Sequence, residues 1–234
     1  MSDSVENWDD IAQWWRDEVA TDPVYADDIA PMLDRLLEAP TGPILELGCG
    51  DGQWLRWLGA DARLVIGCDR SGELLCGVAP AHAAAVCELP SLAWLRDGSV
   101  GAAFSVFVLD LIEDEDAFFA ETRRVVRPGG QLTVIINHPI FTAPDSGPFM
   151  DPDLDVFWRW GAYLGRGASD VTAGTQTVTM YHRSVSDLLS AAARGGWRLE
   201  EAIEAPLGAA AIEREPSYRG QEDIPRFLGM RWRC

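Results

Sequence analysis

The feature that most constrains the fold is a short apolar run that enters a glycine-rich turn at residues 44–52, ILELGCGDG. The glycines at 48, 50 and 52 permit positive φ angles, so a ligand can approach the main chain closely there. A helical pattern begins near Trp54, and the first N–H groups of such a helix face the same ligand. A second apolar run, residues 64–68, ends at Asp69. The segment therefore predicts a strand, a ligand-binding turn and a helix, followed by a second strand that ends in an acid.

Apolar runs and helical patterns alternate from this turn to residue 136, and the alternation resumes at residue 184. This pattern predicts an α/β fold, with a mostly parallel seven-stranded sheet and helices on both of its faces. The last apolar run, residues 227–232, follows a long link. We therefore expect it to form an antiparallel last strand.

Two regions depart from this alternation. Residues 1–40 predict an N-terminal helical cover, with amphipathic helices at about 5–20 and 24–38. Residues 138–182 contain four prolines and many aromatic side chains. They form an insert after the fifth strand that is too long for an ordinary connection, which predicts a lid or a substrate wall. The remainder, residues 41–234 around this insert, is predicted to be one ligand-binding domain.

Composition excludes several classes of partner. The net charge is −18, from 19 basic and 37 acidic residues, so a general grip on nucleic acid or on an anionic membrane is not expected. Five cysteines without a C-x-x-C pair indicate reduced thiols, and an acidic N-terminus without an apolar run indicates no secretory signal. Three histidines far apart in sequence argue against a histidine metal site. We expect a cytoplasmic monomer or homodimer that acts on a small molecule, without a metal.

The acids around the turn narrow the choice of ligand. A dinucleotide fingerprint would need a third glycine where this chain has Gln53, which weakens an NAD-dependent dehydrogenase hypothesis. Glu46 lies inside the turn, where a carboxylate would repel a pyrophosphate but attract an ammonium or a sulfonium. Asp69 is suited to accept hydrogen bonds from both hydroxyls of a ribose. A ribose together with a cationic group describes S-adenosylmethionine.

Four segments resemble the class I S-adenosylmethionine-dependent methyltransferases over residues 44–136: ILELGCGDG, VIGCDRS, FSVFVLDLIED and VVRPGGQL. The later segments NHPIF, YHRSVSDLLSAAARGGWRLEEAIEAP and IPRFLGMRW are similar to a bacterial small-molecule branch of the same family. The resemblance implies a Rossmann-like fold, S-adenosylmethionine as the cofactor and S-adenosylhomocysteine as its product.

The resemblance also implies roles for individual residues. Glu46 would hold the loop and approach the amino group of the cofactor, and Asp69 would accept the ribose hydroxyls. The loop glycines would let the backbone pass the methionine portion, while Arg70 would lie beside the adenine. Residues after the fourth strand would lie near the methionine end. The cofactor residues implied in this way are Glu46, Gly48, Cys49, Gly50, Asp69, Arg70 and Leu109, with Asp110 close to the transferred methyl.

The adenine contact departs from the family pattern. The family often has an acid four residues before a Leu-Pro pair at the end of the third strand, and Ala85 occupies that position here. Two alternatives follow. Either the backbone at Ala85, Val86 and Cys87 holds the adenine, or Glu88 replaces the missing acid with a shifted strand end.

A general base would help if the acceptor were a phenol or an alcohol, because a phenol has a pKa of roughly 10. His138, just past the fifth strand, is the first candidate, with His182 and Asp110 behind it. Substitution of His138 by alanine is then expected to abolish turnover and leave cofactor binding intact.

Aromatic side chains are the candidates for contact with substrate and cofactor. In the N-terminal cover they are compatible either with core packing or with an active-site wall. We assign Trp14 to the cofactor, and assign five residues to the substrate: Trp15, Tyr25, Phe141, Trp158 and Tyr163. The aromatic insert favours an apolar or aromatic acceptor, with O-methylation slightly preferred over methylation at nitrogen or carbon.

Two other functions stay open on the sequence. The same fold and cofactor can serve a cyclase or another enzyme that does not methylate. A non-catalytic binding module is the other alternative, and it would be favoured if the insert left no cavity beside the methyl position.

Overall fold

A seven-stranded sheet forms the centre of the computed structural model, which describes residues 8–38, 40–59, 64–153 and 155–234. In chain order the strands are β1 (Ile44–Leu47), β2 (Val65–Asp69), β3 (Ala83–Val86), β4 (Val100–Val106), β5 (Val126–Asn137), β6 (Gly147–Met150), β7 (Val156–Arg159), β8 (Gly167–Ala173), β9 (Gln176–His182), β10 (Arg198–Ala205) and β11 (Phe227–Arg233). The order across the sheet is β10-β11-β5-β4-β1-β2-β3. Strand β11 runs antiparallel to both of its neighbours, and the other pairings are parallel. The predicted sheet and its antiparallel last strand are confirmed.

The helices that surround the sheet follow the predicted alternation. They are α1 (Ala12–Thr21), α2 (Ala30–Leu36), α3 (Gln53–Gly59), α4 (Gly72–Leu75), α5 (Glu115–Val125), α6 (Pro139–Thr142), α7 (Val185–Arg194) and α8 (Ala209–Arg214). A 3-10 turn, Trp8–Ile11, precedes α1, and a π-helical turn, Val24–Ile29, precedes α2. Residues 5–7 of the first predicted helix lie outside the described residues. Among the described helices, none has both the length and the apolarity needed to cross a bilayer.

Alternating side chains on β5 show why both faces of the sheet are covered. Leu132, Val134 and Ile136 pack in the cluster that contains the α5 and α7 side chains, while Ile135 packs on the other face with α2 and α3. All four are buried, and each contributes roughly 1.5–3 kcal/mol relative to an exposed position. Two covered faces explain why the sequence of this strand is almost continuously apolar.

The region between β5 and α7, residues 138–182, contains α6 and two hairpins, β6–β7 and β8–β9. A buried ion pair joins the end of the second hairpin to α5. Nε of Arg183 donates to Oε2 of Glu115 at 2.9 Å, and Arg166, just before β8, donates to the other oxygen. Arg183 also donates to the carbonyls of Leu109 and Glu113. These bonds fix the second hairpin against the loop that follows β4.

Candidate active site

The glycine turn is held by the neighbouring strand β2. The N–H groups of Gly48 and Cys49 both donate to the carbonyl of Cys68, at 2.8 and 2.9 Å. Gly48 has φ +73°, and a Cβ there would lie 2.3 Å from Cγ2 of Val108. Only glycine satisfies both conditions, because other residues are disfavoured at this φ and would clash. The loop therefore has its shape before any ligand arrives.

Asp69, at the end of β2, is fixed by backbone donors. Its Oδ2 accepts from the N–H of Gly50 at 2.8 Å, and its Oδ1 accepts from the N–H of Ser71 at 2.9 Å. Burial raises the pKa of this carboxyl, while the N–H groups of Ser71 and Gly50 act in the opposite direction. Each oxygen keeps a further lone pair, and the side chain lines the cleft beside the glycine turn. This arrangement can accept hydrogen bonds from the hydroxyls of a ribose.

Glu46 lies on β1 beneath the same cleft and is 1% exposed. Its Oε2 has no hydrogen-bond partner among the described residues. Burial, followed by the nearby carboxylates of Asp69 and Asp51, raises the pKa of Glu46 well above its ordinary value. A buried acceptor without a donor is costly. An ammonium group on a ligand would supply both the donor and the opposite charge, so these residues fit S-adenosylmethionine.

The cleft has about 940 Å³ of empty space, including its open mouth. It is lined by most of the residues predicted for the cofactor: Glu46, Gly48, Cys49, Gly50, Asp69, Arg70, Cys87 and Glu88. Trp15 and Tyr25, which the sequence assigned to the substrate, also line it. The sequence predictions therefore converge at one place, although the role of each residue stays a prediction.

The wall beyond Asp69 bears on the predicted adenine contact. Nε of Arg70 lies 3.5 Å from Oε2 of Glu88, and both side chains line the cleft with Cys87 and Leu89. Val86 does not line the cleft and is 68% exposed. Alternation along the edge strand β3 turns its side chain away from the ligand space. The geometry thus favours Cys87, Glu88 and Leu89 over Val86.

The end of β4 shows a shift relative to the sequence prediction. Phe107 has φ +58°, which bends the chain directly after the strand. As a result Phe107 and Val108 line the cleft, whereas Leu109 is fully buried in the core below it. Leu109 therefore does not reach the cleft. Strained backbone at this position is typical of functional sites.

A second cavity adjoins the cleft and has about 1290 Å³ of empty space, including its mouth. Five residues line both spaces, and we call them the aromatic collar: Trp8, Trp15, Tyr25, Phe107 and Leu111. The rings of Trp8 and Trp15 meet edge to face at 5.5 Å, and those of Tyr25 and Phe107 at 6.0 Å. The collar therefore lies at the boundary between the two cavities.

Four remote parts of the chain build the second cavity. The helical cover contributes Glu18, Asp22 and Val24, and the hairpin β8–β9 contributes apolar side chains such as Val178 and Met180. The rest of the wall comes from β5 and from the C-terminal part of the chain: Asn137, Leu207, Ala211, Arg214, Glu215, Tyr218, Arg226 and Phe227. Among the described residues of the insert, the second hairpin alone reaches this cavity.

The three predicted bases line neither cavity. Nδ1 of His138 accepts from the N–H of Ile140 at 3.2 Å, and its Nε2 lies 2.8 Å from Oε1 of Glu204, so the ring caps α6. His182 is buried between the Thr142 hydroxyl and the Tyr163 carbonyl. With both ring nitrogens engaged, neither histidine is placed to accept a substrate proton.

Asp110 also faces away from both cavities and is 5% exposed. Its Oδ2 accepts from the backbone N–H of Asn137 at 3.2 Å and from the side-chain Nδ2 at 3.3 Å. Burial raises the pKa of Asp110 to about 6, and the Asn137 donors oppose this rise. Asp110 therefore orients Asn137, which does line the second cavity.

Four predicted aromatic contacts also lie away from the cavities. Trp14 is 37% exposed and lies over the β8–β9 turn, where a Cβ on Gly174 would be 2.9 Å from its ring. The helical period of α1 turns Trp15, and not Trp14, toward the cleft. The other three hold the insert together: Phe141 stacks on Trp158 at 4.2 Å, and Tyr163 packs against the His182 ring.

Several lining residues have no signal in the sequence analysis. Phe107, Val108 and Leu111 lie within the recognised segment FSVFVLDLIED, so an offset of one or two residues would have found them. Tyr218 lies in the link between β10 and β11, and Arg226 lies in the recognised segment IPRFLGMRW. Nothing in their local pattern shows that they reach the cavity, because tertiary packing alone brings them there.

Comparisons with known proteins agree with this geometry. A family model described as a methyltransferase domain matches residues 45–134. An S-adenosylmethionine-dependent methyltransferase from Mesorhizobium loti superposes with a TM-score of 0.77 at 28% identity, covering 88% of this chain and 96% of that one. A protein of the same description from Listeria monocytogenes gives a TM-score of 0.75 at 19% identity, covering 89% and 96% of the two chains.

One curated relative is similar in sequence over a shorter range. It is an uncharacterised 37.1 kDa protein of transposon TN4556 from Streptomyces fradiae, 34% identical over 149 residues. The match covers 60% of this chain and 41% of that protein, so the chain spans less than half of the relative's length. The family model over residues 45–134, together with the Mesorhizobium loti structure, identifies this part of the chain as a class I S-adenosylmethionine-dependent methyltransferase domain.

Proposed function

We propose that this chain transfers a methyl group from S-adenosylmethionine to a small apolar or aromatic molecule, with a hydroxyl oxygen as the favoured acceptor. The observation that carries the proposal is the pair of adjoining spaces. A cleft with an unsatisfied buried carboxylate shares the aromatic collar with a second, mostly apolar-walled cavity. A donor site and an acceptor site joined in this way suit a group transfer.

S-adenosylmethionine supplies, when bound, a methyl group that is already activated by its sulfonium. The residues of this chain then have to bind, align and exclude water. Glu46 binds the amino group of the cofactor and Asp69 its ribose hydroxyls, and the rings of Trp15, Tyr25 and Phe107 lie where the two spaces meet. Aromatic faces stabilise a nearby cation, and positioning alone can supply roughly 7–11 kcal/mol of the barrier.

An oxygen acceptor must also lose a proton. Glu18 and Asp22 line the second cavity, and their carboxylates offer a place for that proton. The Tyr25 hydroxyl has no hydrogen-bond partner among the described residues, and burial raises its pKa. Tyr25 therefore stays protonated and can donate a hydrogen bond to the acceptor.

A non-catalytic module and a non-methylating enzyme are the two alternatives to a methyltransferase, and the second cavity bears on them differently. A non-catalytic module has no use for a cavity beside the methyl position, so the second cavity argues against it. An enzyme that keeps the cofactor and catalyses a cyclisation would use the same two spaces. Release of S-adenosylhomocysteine separates that enzyme from a methyltransferase.

The composition supports the remaining parts of the proposal. All five cysteines are free thiols, which is consistent with a reducing compartment, and we place the protein in the cytoplasm. A net charge of −18 supports a small-molecule substrate and not a nucleic acid. We propose a monomer or a homodimer.

Cofactor binding can be tested with a matched pair of ligands. S-adenosylhomocysteine carries the amino acid group that Glu46 would bind, and 5′-methylthioadenosine lacks it. By calorimetry, the wild type should bind the first ligand at least about tenfold more tightly than the second. Glu46→Gln should remove this preference, whereas Asp69→Asn should weaken both ligands by about tenfold. Equal affinity of the wild type for both ligands would refute the role of Glu46.

Methyl transfer is tested with S-adenosylmethionine labelled in its methyl group. The acceptors are phenols, hydroxybenzoates and the matching anilines. We expect label in at least one phenolic product, with one S-adenosylhomocysteine released for each methyl transferred. Cofactor binding without any S-adenosylhomocysteine release would favour the non-methylating alternative.

A further inference from the structure

Arg226 has an unusual place in the second cavity. It directly precedes β11, and its side chain lines the cavity wall. The guanidinium lies over the Phe141 ring, with Cζ 4.3 Å from the ring centroid, and 6.0 Å from the centroid of Tyr218. Stacking occupies the faces of the guanidinium and leaves its N–H edges free to bind a ligand.

No described residue accepts a hydrogen bond from this guanidinium or lies within ion-pair distance of it, although the charges of Asp110 and Asp22 are near enough to oppose the fall in its pKa. The other arginine of the cavity differs, because Arg214 lies 2.9 Å from Glu18 and 3.2 Å from Asp22. Burial lowers the pKa of Arg226, yet an arginine stays charged at neutral pH. Desolvated N–H groups without an acceptor are costly, which points to an acceptor that arrives with the ligand.

We propose that Arg226 binds a carboxylate of the methyl acceptor, so that the substrate class is a small aromatic or apolar carboxylic acid. The inference rests on the proposed methyl transfer and adds the chemistry of the acceptor. A carboxylate accepts two parallel N–H bonds from one guanidinium.

The charges of the cavity favour a single negative charge on the ligand. The other charged residues on its wall are Glu18, Asp22, Arg214 and Glu215, so three acids accompany one paired arginine. A doubly charged phosphate would meet these acids as well as Arg226, and like charges repel in a desolvated site. A monovalent carboxylate gains the bond to Arg226 at a lower cost.

The position of Arg226 also bears on the size of the acceptor. Its neighbour Phe227 lines the same cavity and packs against the collar residue Phe107, with ring centroids 5.9 Å apart. Phe227 therefore links the segment that carries Arg226 to the collar. A compact body, such as one aromatic ring, would hold the reacting oxygen at the collar while the acid is bound.

The test uses the protein saturated with S-adenosylhomocysteine. Benzoate, phenylacetate and 3-phenylpropanoate are titrated by calorimetry, each against its own carboxamide. For the wild type, at least one acid should bind about tenfold or more tightly than its amide. Arg226→Gln should remove this preference and leave the amide affinity within about twofold, and Arg226→Lys should keep part of it.

Two controls keep the outcomes separate. Arg219→Gln changes an exposed arginine outside both cavities and should preserve the acid preference. Affinity for S-adenosylhomocysteine shows whether each variant is folded. If the wild type fails to bind S-adenosylhomocysteine, the proposed function fails. If it binds that ligand but treats acids and amides alike, or binds phenyl phosphate more tightly than every acid, the carboxylate proposal alone is overturned.

Discussion

The cofactor cleft and the second cavity are built in different ways. The largest share of the cleft comes from one stretch, residues 44–70, and its loop is held by backbone hydrogen bonds to β2 and Asp69. The second cavity joins α1, the hairpin β8–β9 and the chain from 207 to 227. Its walls are connected by side-chain pairs such as Arg214 with Glu18 and Asp22. Local backbone geometry fixes the cofactor site, whereas long-range side-chain contacts shape the acceptor site.

The two sites should tolerate changes in sequence differently. A glycine turn keeps its shape as long as its few backbone positions are kept, so one cofactor site can persist with many sequences around it. A cavity made by separate segments changes with any of them. Substitutions in the two regions should therefore separate cofactor binding from acceptor binding.

The largest effect is expected for Gly48→Ala. Its Cβ would lie 2.3 Å from Val108, at a φ of +73°. The loop or Val108 must move, and displacement of a positioned group by about 1 Å can cost 100-fold. We expect affinity for S-adenosylhomocysteine, measured by calorimetry, to fall by at least about that factor.

Two other glycines serve as controls for this variant. Gly129 also has a positive φ, +78°, but a Cβ there meets nothing within 4 Å, and Gly72 has neither constraint. Gly129→Ala should lose about 1 kcal/mol of stability and keep its affinity, while Gly72→Ala should keep both. Near-normal affinity in Gly48→Ala would show that the turn adapts to a side chain.

Glu115→Gln addresses the acceptor side. Glu115 is buried with Arg183. Burial raises the pKa of Glu115, but the hydrogen bonds from Arg166 and Arg183 outweigh this effect, so the pKa lies below its ordinary value. Loss of the charge leaves Arg183 without its partner, which costs about 3–5 kcal/mol of unfolding free energy. Chemical denaturation measures this loss.

Glu115→Gln should affect the second cavity and leave the cofactor cleft almost unchanged. The pair joins β9 to the loop after β4, so acid binding in the second cavity should weaken, whereas affinity for S-adenosylhomocysteine stays within about threefold. Asp116→Asn removes the adjacent exposed pair with Arg194 and should cost less than about 1 kcal/mol. Equal losses in the two variants would mean that the buried pair does not hold the hairpin.

The same difference explains why the sequence predicts the cofactor site but not the acceptor site. Glycines and acids within residues 44–70 are local signals that predicted the turn and the cofactor site, and the alternation of apolar runs and helical patterns along the chain predicted the sheet. Arg226 and Tyr218 carry no such signal, since their place depends on how β11 and the preceding link pack. The histidines were assigned as bases from their position near the sheet edge. Position in sequence did not show that His138 is already engaged by Ile140 and Glu204.

Asp110→Asn should give a pH-dependent effect of intermediate size. The pKa of Asp110 in the folded protein is about 6, above the ordinary value of 3.8. The folded state therefore binds the proton more tightly, and stability falls as the pH rises from about 4 to about 6. The loss is on the order of 3 kcal/mol and is complete above the folded pKa.

Asparagine cannot titrate, so the variant should lack this part of the pH dependence. The unfolding free energies of variant and wild type, measured by urea denaturation from pH 4 to pH 7.5, should diverge in favour of the variant as the pH rises. Other acids whose pKa is raised, such as Glu46 and Asp69, contribute equally to the pH dependence of both proteins. Parallel curves would show that the Asn137 donors stabilise the ionised carboxylate of Asp110 fully.

The smallest effect is expected at His138, where it separates a helix cap from a general base. His138→Ala removes the acceptor for the Ile140 N–H and should cost about 1 kcal/mol of unfolding free energy. His138→Asn can replace that acceptor with its side-chain oxygen and should stay within about 0.5 kcal/mol of the wild type.

If His138 were instead the general base, both variants would lose about 100-fold or more in kcat. The rate of S-adenosylhomocysteine release with a phenolic acceptor measures kcat. If His138 only caps α6, the kcat of His138→Asn should stay within about twofold of the wild-type value. If both variants lose turnover while remaining folded, the ring must leave Glu204 and Ile140 during the reaction, and the acceptor site would extend beyond the second cavity toward α6.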